Sequence, residues 1–403
     1  MPRTNAAYVV MGSRQRPVRI GINSFFLQKP ATGTGQYLIN LLKGLDEVDR
    51  DNDYVLLSPR LRHAYSVYWP ELSERRFQNV EVATKLARAG ENLEKLWWEQ
   101  VGLVQLARSE SVDILHCPYF AGPIVSPFPR VITIHDVIPY VLPEYAWRKI
   151  SHLYVWLVSL AAKRADAIIA VSECSRRDIE RTLRIPAERI HVILNAVDES
   201  FKPLTDSWHL AAVRERYSIG ERYLLYFGGF DLRKNVPRLI RTYAALPSEL
   251  RQEYQLVIAG RLHLLGHPLY PDPRPLVREL GLEDQVVFTG QIREQDKAPL
   301  YSGCTIFVFP SLYEGFGLPV LEAMACGAAV ITSNVSALPE VVGDTGVLVD
   351  PKDDRALTEA MAALLANPAR RAELGRRARE RSQQFTWRQV AEKTLAVYRE
   401  IAR

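Results

Sequence analysis

Residues 307–351 read FVFPSLYEGFGLPVLEAMACGAAVITSNVSALPEVVGDTGVLVDP, and the order of apolar and polar segments in this stretch decides the fold class. An apolar run ends at Pro310, a glycine-containing loop follows, and Pro319 stands where the first position of a helix is expected. Two further apolar runs follow at 329–334 and 346–350. Apolar strands that alternate with segments of helical length are typical of a parallel sheet covered by helices. The stretch therefore predicts an α/β fold.

The same alternation extends along the rest of the chain and divides it into two halves. Seven apolar runs lie before residue 200, at 18–23, 54–58, 80–84, 112–117, 131–136, 167–172 and 191–195. Six lie after it, at 223–229, 255–260, 286–290, 305–311, 329–334 and 346–350. The polar stretch 195–208 has no hydrophobic period and is suited to a connector. We therefore predict two doubly wound, Rossmann-like parallel sheets that face a cleft, in domains 1–201 and 202–385. A terminal helix over 386–403 is free to pack back onto the first domain.

Length and composition agree with two globular domains. The chain has 403 residues, of which 47% are hydrophobic and 24% charged. The net charge of +5 is shared evenly between the two halves, so no nucleic-acid partner is predicted. No run reaches the roughly 18 apolar residues that a membrane span needs. We expect a cytoplasmic protein.

The N-terminal edge carries only basic charges, because six Lys and Arg residues precede Asp46, the first acidic residue. Two interpretations stay open: a solvated tail, or contact with an anionic membrane. The pair Trp97 and Trp98 offers a similar choice between a packed core and an interfacial anchor. The membrane interpretation makes the protein peripheral on the cytoplasmic face of a membrane.

The sequence offers no convincing metal or nicotinamide site. The four cysteines lie far apart and form no ligand pattern. DRDND at 49–53 has the Asp-x-Asp spacing of some metal sites, but it links a helix to a strand and resembles a solvated turn. The loop around Gly33 and Gly35 lacks the third glycine of a dinucleotide fingerprint, because Leu38 stands there. We predict neither a metal nor a cofactor.

The loop after residue 311 has features that suit a phosphorylated sugar. Gly315 and Gly317 allow backbone amides to approach a ligand closely, and a helix N-terminus adds positive potential for an anion. Glu314 and Glu322 are separated by seven residues, so both carboxylates can face one pocket and accept hydrogen bonds from vicinal hydroxyls. Each feature alone also has an ordinary explanation: a plain turn, or a favourable charge in the first turn of a helix.

Taken together, these features resemble the retaining GT-B glycosyltransferases of family 4, also called group 1, whose hallmark is an EGFGLPxLEAMACGxPVI stretch with a Glu-x7-Glu pair. The resemblance covers nearly the whole chain. It implies transfer of a hexose from a nucleotide diphosphate sugar to a hydroxyl acceptor, with retention at the anomeric carbon. It also implies that Glu314 holds hydroxyls of the transferred sugar and Glu322 those of the ribose. The backbone expected to contact the donor belongs to Gly315, Phe316, Gly317 and Leu318.

The segment YFGGFDLRKNVPRLIRTY at 226–243 is similar to the first strand and loop of the family's second domain. Lys234 matches the lysine that binds the donor diphosphate, and a compact ammonium after a glycine-rich strand end suits phosphate oxygens. Many members carry an arginine where this chain has Gly229. Arg233 is the candidate for that role, and a solvated surface position is the alternative.

Two segments of the first half complete the resemblance. QKPATGTGQYLINLLKGL at 28–45 is similar to the family's N-terminal glycine-rich loop, in which Gly33 and Gly35 would bring backbone amides to the donor phosphate or the acceptor. HDVIPYVLPEY at 135–145 resembles a pattern of a subset that includes mannosyltransferases of polysaccharide assembly. His135 is either a ligand of a sugar hydroxyl or structural, and Asp136 either an acceptor-side base or the cap of a turn.

The subset favours mannose from GDP-mannose as the donor and a glycan or lipid-linked glycan of envelope polysaccharide biosynthesis as the acceptor. Two other functions stay open. A non-hydrolysing sugar-nucleotide epimerase can share the GT-B architecture, and a catalytically silent subunit can bind sugar nucleotides without turnover.

Overall fold

The structure is a computed structural model and describes residues 16–60, 69–83, 90–146, 149–262 and 267–402. Within these residues thirteen strands form two sheets, and each strand falls on one of the thirteen apolar runs. The first sheet contains β1 (Arg19–Asn23), β2 (Asp53–Arg60), β3 (Phe77–Ala83), β4 (Ile114–Cys117), β5 (Arg130–Ile134), β6 (Ala167–Ala170) and β7 (Ile190–Val192). The second contains β8 (Tyr223–Phe227), β9 (Gln255–Ala259), β10 (Val286–Gly290), β11 (Ile306–Phe309), β12 (Val330–Ser333) and β13 (Val347–Val349).

Both sheets have the doubly wound strand order that the sequence predicts. The first runs β3-β2-β1-β4-β5-β6-β7 and the second β10-β9-β8-β11-β12-β13, with all neighbours parallel. The predicted GT-B fold class is therefore confirmed. The strand order reverses beside β1 in the first sheet and beside β8 in the second, and ligands of such sheets bind at the carboxyl ends of the strands at these points.

Sixteen α-helices lie between and after the strands of the described part of the chain. They are α1 (Gly33–Val48), α2 (Glu91–Trp97), α3 (Leu103–Ser109), α4 (Ile138–Val141), α5 (Lys149–Lys163), α6 (Glu173–Leu183), α7 (Ser207–Arg216), α8 (Val236–Ala244), α9 (Ser248–Glu253), α10 (Arg274–Glu279), α11 (Glu294–Gly303), α12 (Leu318–Ala325), α13 (Leu338–Val342), α14 (Asp354–Leu365), α15 (Pro368–Ser382) and α16 (Trp387–Ile401). Single turns of 3-10 helix occupy Phe25–Gln28, Pro143–Ala146, Ala187–Arg189 and Leu232–Lys234, and a π-helical turn occupies Trp98–Gly102. Every residue of β4, β6, β11 and β12 is buried, which is why these runs are apolar without alternation.

The chain crosses between the two sheets twice. The segments 193–206 and 383–386 run side by side, and the Val197 amide donates to the Phe385 carbonyl at 3.4 Å. Thr386 caps α16, the terminal helix that the sequence predicts. This helix then packs on α1, where a Cβ added to Gly44 would lie 2.7 Å from the Trp387 carbonyl oxygen. The domain limits 1–201 and 202–385 stay a prediction.

Burial decides one of the choices that the sequence leaves open. Trp98 is fully buried and its indole nitrogen donates to the Asn23 side chain at 3.1 Å, so the packed-core interpretation is correct for this residue. In the DRDND segment, the Asp49 carboxylate accepts hydrogen bonds from the Asn52 side chain at 2.8 Å and the Tyr54 hydroxyl at 2.5 Å. The segment is therefore a turn, but Asp49 is buried, so the expectation of a solvated turn is wrong for this residue. The described residues contain no group of three or more His, Cys, Asp or Glu side chains arranged to hold a metal.

Two of the six basic residues that precede Asp46, Arg3 and Arg14, lie outside the described residues. Among the helices of the described residues, none is long and apolar enough to cross a bilayer.

Candidate active site

Two loops at the carboxyl edge of the second sheet form the candidate site. They follow β8 and β11, the adjacent strands at which the strand order reverses. The Leu312 amide donates to the Arg233 carbonyl at 2.7 Å, and the Asn235 side chain donates to the Pro310 carbonyl at 3.0 Å. These hydrogen bonds hold the two loops side by side.

Three predicted site residues meet between these loops in a buried ion-pair cluster. The Lys234 ammonium lies 2.7 Å from Oε1 of Glu314, and a terminal guanidinium nitrogen of Arg233 lies 2.8 Å from Oε2. Lys234 is 8% exposed and Glu314 is 7% exposed. Burial raises the pKa of Glu314, but the two adjacent cations outweigh it and lower that pKa to about 2. Glu314 is therefore an ionised carboxylate at neutral pH, and Arg233 is not a solvated surface residue.

Asp231, which the sequence analysis did not single out, completes the cluster. Its Oδ1 lies 3.0 Å from Nε of Arg233, so two carboxylates face two cations. Burial lowers the pKa of Lys234 while Glu314 acts against that shift. Each cation still has donors to offer: Lys234 has three N–H groups, and the NH2 group of Arg233 has no protein acceptor among the described residues. The only sequence signal for Asp231 was its place inside the segment 226–243.

The N-terminus of α12 lies beyond Glu314 on the same loop. Gly317 caps this helix at φ 111°, a backbone conformation that favours glycine. The amides of Gly317 and Leu318 have no acceptor among the described residues, so both are available to a ligand. The helix begins at Leu318, which makes Pro319 its second residue, where we had expected the first.

Glu322 has a different environment from Glu314. It is the fifth residue of α12, so the expectation that it lies in the first turn is wrong by one residue. The Tyr301 hydroxyl donates to its Oε2 at 2.8 Å. Burial raises the pKa of Glu322 to about 7, against the opposing effects of Lys297 and of the hydrogen bond from Tyr301. The pKa of Glu322 is thus raised, whereas that of Glu314, on the preceding loop, is lowered.

The first domain contributes the residues that follow β5. The His135 imidazole lies with Nε2 at 3.1 Å from the Pro118 carbonyl and its ring at 4.8 Å from the ring of Tyr37. Burial lowers the pKa of His135 to about 4, so the ring is neutral. Because a carbonyl only accepts, Nε2 carries the proton and Nδ1 is an acceptor suited to a hydroxyl.

Asp136 shows features of both interpretations left open by the sequence. Its Oδ1 accepts a hydrogen bond from the Ile138 amide at 3.1 Å, as a turn cap does. Burial raises the pKa of Asp136, as expected for a general base, and the charges near it include Arg233 and Glu314 across the cleft. Its Cβ lies 3.0 Å from the position of a Cβ added to Gly315, so the structure brings Asp136 to the same cleft.

The side-chain positions of Gly315 and Phe316 are filled by other parts of the protein, and the prediction that their backbone contacts the donor stays a prediction. A Cβ added to Gly315 would lie 1.9 Å from the His135 carbonyl oxygen, so the opposite domain is the reason why glycine is required there. Phe316 is buried, and its ring lies 6.1 Å from that of Phe385. The side chain of Phe316 is therefore part of the core and is not available to a ligand.

The two glycines of the N-terminal loop behave differently from each other. Gly33 is the first residue of α1 and has open space around it. Gly35 lies against the Lys29 carbonyl, and its amide donates to the Thr32 hydroxyl at 3.1 Å, which caps the helix. The Gly35 amide is thus already bonded, and only Gly33 is free to approach a ligand.

Several hydrogen bonds that the sequence did not indicate close the cleft. Ser172 caps α6, and its hydroxyl also donates to the Gly315 carbonyl at 2.7 Å. The Tyr313 hydroxyl donates to Asp178 at 2.8 Å. The Glu340 carboxylate accepts from the amides of Glu173 and Cys174 at 2.8 and 2.7 Å. The carboxyl edges of the two sheets therefore face each other in direct contact.

Comparison with known proteins agrees with this architecture. The family model described as Glycosyltransferase Family 4 matches residues 31–201, and the one described as Glycosyl transferases group 1 matches residues 213–381. The O-antigen chain mannosyltransferase B of Escherichia coli is 32% identical over 269 residues, which cover 67% of this chain and 70% of the relative.

Two further proteins show how far the similarity extends. The serotype-specific mannosyltransferase WbdA of Escherichia coli is 34% identical over 274 residues, covering 66% of this chain and 32% of the relative. The match thus spans about a third of that relative's length. The sucrose-phosphate synthase of Thermosynechococcus elongatus superposes with a TM-score of 0.75 at 25% identity, over 95% of this chain and 98% of that one. The chain therefore belongs to glycosyltransferase family 4, with a family 4 domain followed by a group 1 glycosyltransferase domain.

Proposed function

We propose that this protein is a retaining glycosyltransferase that moves a hexose from a nucleotide diphosphate sugar to a hydroxyl of a glycan or lipid-linked glycan. The observation that carries the proposal is the cluster of Lys234, Arg233 and Glu314 beside the free N-terminal amides of α12. A cluster of this kind combines donors for phosphate oxygens with a carboxylate for sugar hydroxyls.

The difficult step of such a transfer is the departure of a diphosphate with growing negative charge. Lys234, Arg233 and the amides of Gly317 and Leu318 would stabilise that charge, because they are held in position before the reaction begins. Glu314 would accept hydrogen bonds from hydroxyls of the transferred sugar, and Glu322 from those of the ribose. We propose no metal, since these groups of the chain supply the positive charge that the leaving group requires.

The other wall of the cleft would orient the acceptor. Nδ1 of His135 is suited to accept a hydrogen bond from a hydroxyl of the sugar or the acceptor. Asp136, whose pKa is raised by burial, would act as the acceptor-side base.

Mannose from GDP-mannose is our proposal for the donor. It is supported by the HDVIPYVLPEY segment and by the two relatives named as mannosyltransferases. The name of one relative also supports a role in envelope polysaccharide assembly. The family membership favours transfer over the epimerase and over a silent binding subunit.

Thermal unfolding with a panel of nucleoside diphosphates and nucleotide sugars tests the donor. A ligand present at 100 times its Kd stabilises the folded state by about 2.7 kcal/mol. Because we propose GDP-mannose as the donor, GDP and GDP-mannose should raise Tm more than the other ligands of the panel. A larger shift with UDP or ADP sugars would contradict the choice of donor, and no shift with any of them would contradict the proposed function.

The same panel incubated with and without an acceptor separates the enzyme classes. Conversion of the free nucleotide sugar to an epimer in the absence of acceptor would favour the epimerase. Loss of transfer in chelator, restored by magnesium or manganese, would contradict the absence of a metal.

Contact with an anionic membrane is a further part of the proposal, supported by the six basic residues before Asp46. Co-sedimentation with vesicles containing anionic lipid should be reduced when residues 1–16 are deleted, and high salt should have the same effect on the full chain. Equal binding of the two forms would remove Arg3, Arg14 and Arg16, the three basic residues of this segment, from the proposal.

A further inference from the structure

Tyr145 extends from the acceptor-side segment of the first domain to the phosphate-side loop of the second. It lies in the 3-10 turn Pro143–Ala146, nine residues after Asp136 in the HDVIPYVLPEY segment. Its hydroxyl donates to Oδ1 of Asp231 at 2.7 Å. The same hydroxyl accepts a hydrogen bond from the backbone amide of Arg233 at 3.0 Å. The Tyr145 hydroxyl is therefore both a hydrogen-bond donor and an acceptor towards one loop of the second domain.

These contacts act on the residue that fixes Arg233. Oδ1 of Asp231 receives both the Tyr145 hydroxyl and Nε of Arg233, so the three groups form a closed triangle. A carboxylate that is held from two directions has less freedom to turn, and it fixes the guanidinium plane with it. The backbone bond to the Arg233 amide fixes the start of the loop that carries Lys234.

These hydrogen bonds are buried, so their loss would cost free energy. Asp231 is 8% exposed, and an unpaired carboxylate oxygen at that depth is costly. Burial and the bond to Asp231 raise the pKa of the Tyr145 phenol, so it stays protonated and remains a donor. Opening of the cleft would remove the hydroxyl from Asp231 and from Arg233 together.

We propose that Tyr145 is a positioning residue that holds Arg233 in its donor-binding orientation, so that donor affinity depends on the acceptor-side segment across the cleft. The inference rests on the proposed function, since it assigns Arg233 to the diphosphate. Tyr145 itself does not need to contact the donor. The class of ligand whose binding it controls is the diphosphate of a nucleotide sugar.

The test is Tyr145→Phe, which removes one oxygen and keeps the ring. Loss of a hydrogen bond to a charged group corresponds to an about 10- to 150-fold change in an equilibrium constant. We expect GDP alone, measured by calorimetry, to bind that much more weakly, and the KM for the donor to rise similarly with kcat changed by less than about twofold. A merely structural role would lower the fraction of active enzyme, and hence kcat, without raising KM.

Tyr140→Phe is the matched control. Tyr140 lies in the same segment, on α4, but its hydroxyl contacts Ser159 of its own domain at 2.5 Å. We expect GDP affinity and donor KM in Tyr140→Phe to equal those of the wild type. A similar loss in both variants would show that the whole segment, and not the bond across the cleft, is responsible, and would overturn the inference.

A double-mutant cycle with Asp231→Asn tests whether Tyr145 acts through Asp231. If it does, the two substitutions are not additive, and the double variant binds GDP about as weakly as Asp231→Asn alone. Full additivity, or an unchanged Kd for GDP in Tyr145→Phe, would overturn the inference. Failure of the wild type to bind any nucleoside diphosphate is a different result, since it contradicts the proposed function itself.

Discussion

Lys234→Ala is expected to abolish sugar transfer while the protein stays folded. Lys234 is the compact cation of the buried cluster, and its removal takes away charge that would stabilise the departing diphosphate. Removing one such group from a pre-organised site typically costs about 100- to 1,000-fold in kcat. Glu314 keeps its ion pair with Arg233 in this variant, so the buried carboxylate is not left alone. Steady-state kinetics with the preferred donor and far-UV circular dichroism measure the two effects.

Lys352→Ala is the control for this prediction. Lys352 is exposed in the same domain, and its removal takes the same charge away from the protein without touching the cluster. It should leave kcat and Tm unchanged. If Lys234→Ala keeps more than about a tenth of wild-type kcat, a margin of roughly 1.4 kcal/mol, Lys234 does not have the role proposed for it.

Gly315→Ala is expected to be highly disruptive, although it adds only one methyl group. The new Cβ would lie 1.9 Å from the His135 carbonyl oxygen and 3.0 Å from Cβ of Asp136. A backbone oxygen cannot turn away as a flexible side chain does, so the two domains must separate at this point. The separation would stretch the hydrogen bonds that Ser172 and Ser175 make to the Gly315 carbonyl. We expect a loss of transfer activity and destabilisation by about 3 kcal/mol or more.

Hydrogen exchange distinguishes opening of the cleft from global unfolding. In Gly315→Ala the amides at the start of α6, which bind Glu340 of the other domain, should exchange faster while those of β11 stay protected. Gly33→Ala, compared by Tm only, adds a methyl group in open space and should not destabilise the protein. Wild-type activity and exchange in Gly315→Ala would show that the domains do not approach so closely in solution.

The fold could be predicted because its signal is local. Strands buried on both faces are apolar along their whole length, and all thirteen strands were visible as short apolar runs. The caps Ser172 and Thr386 are local in the same sense, since a cap depends only on the residues that follow it.

The site could be predicted only in part, because its signal lies in contacts between distant residues. Lys234 and Glu314 were found separately, but nothing in the sequence indicates that they pair with each other over 80 positions. Tyr145 lies 86 positions from Asp231 and has no local signature. The reason for glycine at position 315 was also hidden, since the atom that excludes a side chain belongs to His135 of the other domain.

The two crossings of the chain limit how the domains can move. A domain attached through one flexible chain segment keeps nearly all of its six degrees of freedom. A domain attached through two adjacent segments loses twisting and sliding and keeps mainly rotation about one axis. The segments joined by the bond from Val197 to Phe385 define such a line. Each closure would then bring Tyr145 and Gly315 back to the same partners. The position of this axis would therefore determine how accurately the residues of the cleft meet on each closure, and the domains would not need to sample many relative orientations.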